Sequence, residues 1–365
     1  MLSAFSGRRT SATLQPNLGK VLMAKSLFGC ALLMVLPVVA SAVLIDLVTV
    51  GDPGNSTNTG SVGSVGYNYE IGTFEVMNSQ YVEFLNSVAA TDTYGLYQPM
   101  MGFSAWGGIT RSGSNGSYTY SVKANMGDKP VNYVSFYDAV RFVNWLENGQ
   151  PTGSQGPGTT ETGTYSLFTD GGSTTNASSR DPGAGWVLPT NDEWYKAAYY
   201  DPTASGTSNY WLYPTRSDDV PIMALVDATG NITNGGFNVA NYDSGADWNG
   251  QDGNVTTVGS AGPDSASYYG TFDQGGNVQE WNETVVNTNR MLRGGGFWTY
   301  ELAMRSSILA ISSPLSEGFN LGFRVAFVPE PGPVVALTFF GIASCLWGRH
   351  TRRKGSVIGN CNPEE

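Results

Sequence analysis

The stretch Asp273-Gln274-Gly275-Gly276-Asn277-Val278-Gln279-Glu280-Trp281 decides how this chain is read. Asp, Gly and Asn dominate its first half, and these residues dominate turns because they tolerate left-handed backbone or bond their own main chain. Its second half closes on an acid and a large aromatic. Downstream come Arg293-Gly294-Gly295-Gly296-Phe297, Met304-Arg305-Ser306 and Asn320-Leu321-Gly322-Phe323-Arg324. The glycine triplet lacks the Gly-Lys-Ser/Thr ending of a phosphate loop, so nucleotide binding is not read from it. Upstream, Val76, Tyr81, Phe84, Leu85 and Val88 recur at helical spacing and predict a helix over 76–88. Ser135 caps a second helix carrying Phe136, Ala139, Val140, Val143 and Leu146, which Gly149 stops. Thr190 or Asn191 caps a third, with Glu193 in its first turn and Trp194, Ala197 and Ala198 inward. Tyr67–Ile71 and Phe323–Val328 read as short strands between Gly-rich turns. The Gly/Thr/Ser-rich run 150–179 reads as a surface insertion loop. Few helices, many turns and large aromatic anchors predict one irregular, loop-rich α+β domain.

These pieces, in this order, resemble the formylglycine-generating, or sulfatase-modifying factor, family. Ile71 to Asn78 with Tyr81 and Phe84 is similar to the family's entry strand and first helix. Pro130 to Ala139 with Phe142, Trp145 and Leu146 resembles its second helix, and Leu188-Pro189-Thr190 with Glu193-Trp194 its third. Asp273 to Trp281 resembles the family's G-N-V-W-E-W signature. The match runs over 66–327 and implies a fold related to that of C-type lectins. Trp194, Trp281, Arg293 and Arg324 are then expected to anchor the core.

The resemblance also marks a departure. Active members oxidise a substrate cysteine with two copper-binding cysteines. Those positions fall on Thr299 and Met304, and the serine of the preceding element is Gly296. A threonine and a lone thioether do not replace a thiolate pair, so neither copper nor catalytic residues are expected. The three cysteines, Cys30, Cys345 and Cys361, and the single histidine, His350, all lie outside residues 43–330. That excludes intradomain disulfides, Ser-His-Asp triads and His- or Cys-ligated metals from this region.

Calcium is the cofactor the resemblance does imply, as a structural ion. One family site maps to the side chains of Asp273 and Glu280 with the carbonyls of Gly276 and Val278. Another maps to Asn241, the Tyr242 carbonyl, Asp252 and the Asn254 carbonyl. Oxygen donors suit calcium, while turn chemistry explains the same residues without a metal. The run 243–254 is not an EF-hand: with Gly250 sixth, Gly245 stands first and Thr256 twelfth, where acids are required. Glu280 with Glu283 is a conceivable acid/base pair.

The ends read as targeting segments. Met23-Ala24-Lys25, an apolar run from Leu27 to Ala40 and Ala40-Ser41-Ala42 predict a signal peptide over residues 1–42, with a lipoprotein box at Cys30 as the rival. Val328-Pro329-Glu330-Pro331, an apolar segment to Trp347 and the basic cluster Arg349 to Lys354 resemble a PEP-CTERM sorting tail over 329–354, ahead of a short tail at 355–365. An exosortase-type protease is the implied partner. Pro333 to Trp347 is 15 residues, short of the ~20 of a spanning helix, yet able to stop transfer as a simple membrane anchor. Both readings place domain 43–328 outside a bacterial cytoplasm, at the envelope, surface or matrix. Residues 43–330 hold 11 of the basic and 28 of the acidic side chains, a formal charge of −17. No basic patch for nucleic acid is visible. The expectation is a non-catalytic binding or scaffold module for extracellular polysaccharide or matrix protein, with Trp106, Trp211, Trp248 and Trp298 as candidate sugar-facing aromatics. The alternative is a divergent enzyme using carboxylates or a metal in the groove beside Trp298 and Thr299.

Overall fold

The computed structural model describes residues 42–170, 173–204 and 209–329. The expected leader and sorting segment lie outside these residues, apart from Ala42 and Pro329. Among the described residues no helix is long and apolar enough to cross a membrane.

Local capping sets two of the helices. Ser135 Oγ accepts the Asp138 N–H while Asp138 Oδ2 accepts that of Ser135, a reciprocal box that opens Phe136–Glu147. Thr190 and Glu193 repeat the device before Asn191–Tyr199. Each cap contributes ~1 kcal/mol and fixes where its helix starts. The helices in chain order are α1 Asn78–Val88, α2 Met100–Phe103, α3 Phe136–Glu147 and α4 Asn191–Tyr199. All but the last residue of α3 is buried, so its apolar stripe is embedded on every side rather than along one seam.

The strands are short. The first seven are β1 Leu47–Val50, β2 Tyr69–Gly72, β3 Ile109–Ser112, β4 Thr119–Val122, β5 Leu167–Asp170, β6 Ser173–Ala177 and β7 Trp186–Val187. The rest are β8 Ile222–Met223, β9 Val239–Ala240, β10 Gln279–Val286, β11 Asn289–Arg293, β12 Ala310–Ser312, β13 Leu321–Phe323 and β14 Ala326–Phe327. One sheet runs β1-β2-β14-β7 and joins the two ends of the domain, Ile71 opposite Ala326. The other runs β12-β11-β10-β13, with β10 antiparallel to β11 and parallel to β13. Trp281 and Phe323, from neighbouring strands, pack on Phe136 and Phe142 of α3 at ring separations of 6.2 and 5.5 Å. Trp194, Trp281, Arg293 and Arg324 are all buried.

The run 150–179 departs from the expected surface loop. Thr160, Glu161, Thr164 and Tyr165 are buried. Asn144 of α3 donates to the carbonyls of Thr160 and Tyr165, and Arg141 meets Glu161 at 2.7 Å. A buried guanidinium needs an acid, and this low-complexity run supplies it.

Candidate functional site

The quoted stretch folds as a turn entering β10. Asp273 and Asn277 both take positive φ, 59° and 56°. Gly276 is obligatory between them, since a Cβ there would lie 2.2 Å from the Asn241 carbonyl oxygen. Glu280 follows in β10 with no exposed surface. Its carboxylate accepts Arg324 Nε at 2.6 Å, Arg324 Nη2 at 2.7 Å and Trp194 Nε1 at 2.7 Å. Arg324 also donates to the carbonyls of Gly72, Thr73 and Phe272, so its five N–H groups are all engaged.

This geometry does not fit calcium at Glu280, because Arg324 already fills the cation's place and both carboxylate oxygens are taken. The Val278 side chain is buried among Trp248, Val255 and Phe297. Asp273 Oδ2 accepts the Gly259 N–H at 2.6 Å, and burial pushes its carboxyl up to about 6. Near them stands Glu75, which no sequence reading singles out. It is 1% exposed, neither carboxylate oxygen has a hydrogen-bond partner among the described residues, and burial, then Asp273, pushes its carboxyl well up.

The other expected calcium set comes together in part. Asn241 Nδ2 donates to the Asn254 carbonyl at 2.8 Å, and both residues are buried. Asn241 Oδ1 is buried without a partner among the described residues, a gap that a cation would satisfy. Tyr242 follows directly, its hydroxyl bonded to the Pro221 carbonyl. Asp252 is exposed and stands apart from this knot. A cation here would draw on Asn241 Oδ1 and on the second lone pairs of the Asn254 and Tyr242 carbonyls, which already accept the Asn241 amide and the Gly245 N–H. Among the described residues no group of three or more His, Cys, Asp or Glu could hold a metal.

In the groove, Thr299 Oγ1 accepts the Gly296 N–H and donates to the Gly296 carbonyl, both at 2.9 Å. Met304 is buried beside Tyr213 and Ala240. Of the four candidate aromatics only Trp298 is exposed, packed edge-on against Trp106 and Phe319. Trp248 is buried, its indole N–H on the Val255 carbonyl. Trp106 and Trp211 are partly buried, with their indole N–H groups on the Gly253 carbonyl and Asp201.

The suggested acid/base pair is separated by its partners. Glu283 turns from the Arg324 cluster to Arg180, whose Nε lies 2.9 Å away, and to the Tyr165 hydroxyl at 2.7 Å. Arg180 bridges onward to Glu193, which Tyr67 also meets. Arg180 and Tyr165 both come from or border the run 150–179, where composition gives no sign of them.

A family model described as "Sulfatase-modifying factor enzyme 1-like domain" matches residues 55–328. None of the curated proteins matches the sequence. Among solved structures, Treponema denticola variable protein 1 is 17% identical with TM-score 0.44, over 80% of this chain and 97% of that one. The structure titled "Crystal Structure of CarF" is 21% identical with TM-score 0.47, over 78% and 98%. PvdO from Pseudomonas aeruginosa is 15% identical with TM-score 0.39, over 77% and 93%.

Proposed function

Since the chain belongs to the sulfatase-modifying factor enzyme 1-like family, we propose that it is a member without the family's oxidase chemistry: a calcium-stabilised binding or scaffold domain displayed outside the cell. The observation that carries this reading is at the two positions where the family places cysteines. Thr299 closes its hydroxyl onto its own turn and Met304 turns its thioether into the core. Neither presents a soft ligand pair to copper. Glu280 and Glu283 are held by different arginines, which speaks against their working as an acid/base pair.

The apolar segments and Pro-Glu-Pro element at the two ends support export and sorting by an exosortase-type protease. Polysaccharide or matrix protein is the partner that location suggests. Asn241, with the carbonyls of Tyr242 and Asn254, would hold calcium, which supplies a fixed positive charge tying the 241–254 loop together.

The test is retention of the purified protein on polysaccharides and matrix proteins from its own cells, with calcium and then with chelator. Retention lost on chelation is the expected result, and no retention under either condition contradicts the reading. Calcium at a hundredfold its Kd should add about 2.7 kcal/mol of stability, and Asn241→Ala should abolish that gain in calorimetry.

A further inference from the structure

A cavity of about 510 Å³ opens between the β10–β11 hairpin and the segment leaving β6, away from the Thr299 groove and both calcium sets. Its size is that of a small-ligand site. Much of its lining is already committed. Glu283 holds Arg180 and the Tyr165 hydroxyl, and Tyr165 also accepts the Leu188 N–H. Arg180 is further tied to Glu193 and the Leu188 carbonyl.

Two lining groups are not committed. Arg290 lays its guanidinium 4.1 Å over the Phe136 ring and gives one N–H to the Glu283 carbonyl. Its Nε and Nη2 groups have no protein partner among the described residues. Tyr137 is 4% exposed, lines the same cavity and has no partner for its hydroxyl among those residues. Arg180 is shared between Glu283 and Glu193, so Arg290 is the cavity-lining cation with no carboxylate paired to it among the described residues. This is notable in a region with 11 basic residues against 28 acids. Free guanidinium N–H groups in a fork match a carboxylate bidentately. The phenol of Tyr137 and the rim hydroxyls of Ser179 and Thr288 suit a ligand that is itself rich in hydroxyls.

We propose that this cavity binds a carboxylated sugar, a uronic acid unit of a polysaccharide, with Arg290 on the carboxylate and Tyr137 on a ring hydroxyl. The proposal rests on the binding-module reading and names its site and ligand class.

The probe is digalacturonic acid, titrated calorimetrically into the purified protein, with its methyl ester as the uncharged control. The acid should bind at least about tenfold more tightly than the ester, and Arg290→Gln should remove most of that difference. Tyr137→Phe deletes only a hydroxyl without a protein partner, so it keeps the fold and should weaken binding about fivefold. If Arg290→Gln does not fold, Tyr137→Phe and the ester decide. Binding of the acid unchanged in both variants would place the ligand elsewhere, overturning the cavity assignment while leaving the binding-module reading intact. No binding at ~10 mM overturns the ligand class, whatever the retention experiment on native polysaccharide gives.

Discussion

Glu280 and Glu283 stand three residues apart on β10, and each meets an arginine, yet the two pairs differ in kind. Glu280 and Arg324 have no exposed side-chain surface and meet at 2.6 Å. Glu283 and Arg180 meet at 2.9 Å with about a sixth of each side chain exposed, 16% and 17%. The register shift between Trp281 and Val285 divides the strand between them. One half is sewn into the core, and the other leads to the cavity wall. The core pair is saturated by protein and leaves no room for a ligand. The cavity pair is shared with Glu193, and the neighbouring Arg290, with no carboxylate paired to it among the described residues, faces what enters. On one strand, then, the same chemistry serves the fold at one end and a candidate binding surface at the other.

The sharpest way to break this comparison is to remove one partner of each pair. Arg324→Leu strands a buried carboxylate and the carbonyls of Gly72, Thr73 and Phe272, and should cost about 3–5 kcal/mol in urea unfolding. Arg180→Leu also strands Glu193, which has no exposed side-chain surface, so the two pairs are compared at their acids: Glu280→Gln should cost more than Glu283→Gln, because water reaches Glu283. Equal losses would erase the distinction.

A smaller effect tests the acid beside the core pair. Glu75 has a folded-state pKa well above its ordinary value, so its stabilising contribution is complete below the unfolded pKa. That contribution is lost as pH rises through the folded value. Glu75→Gln should flatten this decline and leave the variant more stable than the parent at pH 8 by about 1–3 kcal/mol. An unchanged pH profile would mean that another group neutralises Glu75. The smallest change is Tyr165→Phe, which removes one hydroxyl from the Glu283 pair and should cost about 1 kcal/mol.

The elements that sequence reasoning found are the ones whose cause is local. Ser135 with Asp138 and Thr190 with Glu193 are capping boxes whose partners stand three residues apart, and both helices begin where those pairs place them. The strand pairing Ile71 with Ala326 joins residues far apart in the chain, and neither strand's sequence names its partner. The expectation failed where partners are distant and composition is bland. Nothing in a Gly/Thr/Ser run shows that Glu161 will meet Arg141 in the core. The resemblance picks out both Glu280 and Arg324 but not that they pair, and the guanidinium takes the carboxylate that the expected calcium would share. Glu75, a single acid in Gly72-Thr73-Phe74-Glu75-Val76, has no local pattern at all; its meaning comes only from the burial around it. Tyr137 of α3 and Arg290 of β11 line one cavity; Tyr137 stands within the Pro130–Ala139 motif and Arg290 in none, and nothing in that motif points to the cavity.

The most direct test of the account is chemical. The purified protein, supplied with copper and oxygen, is incubated with a cysteine-containing sulfatase peptide, and the peptide is weighed by mass spectrometry. The account predicts a peptide of unchanged mass, because it takes Thr299 and Met304 to stand at the positions where the resemblance expects the oxidising cysteines. A formylglycine product would contradict it, and would mean that the groove oxidises cysteine by a route independent of those two positions.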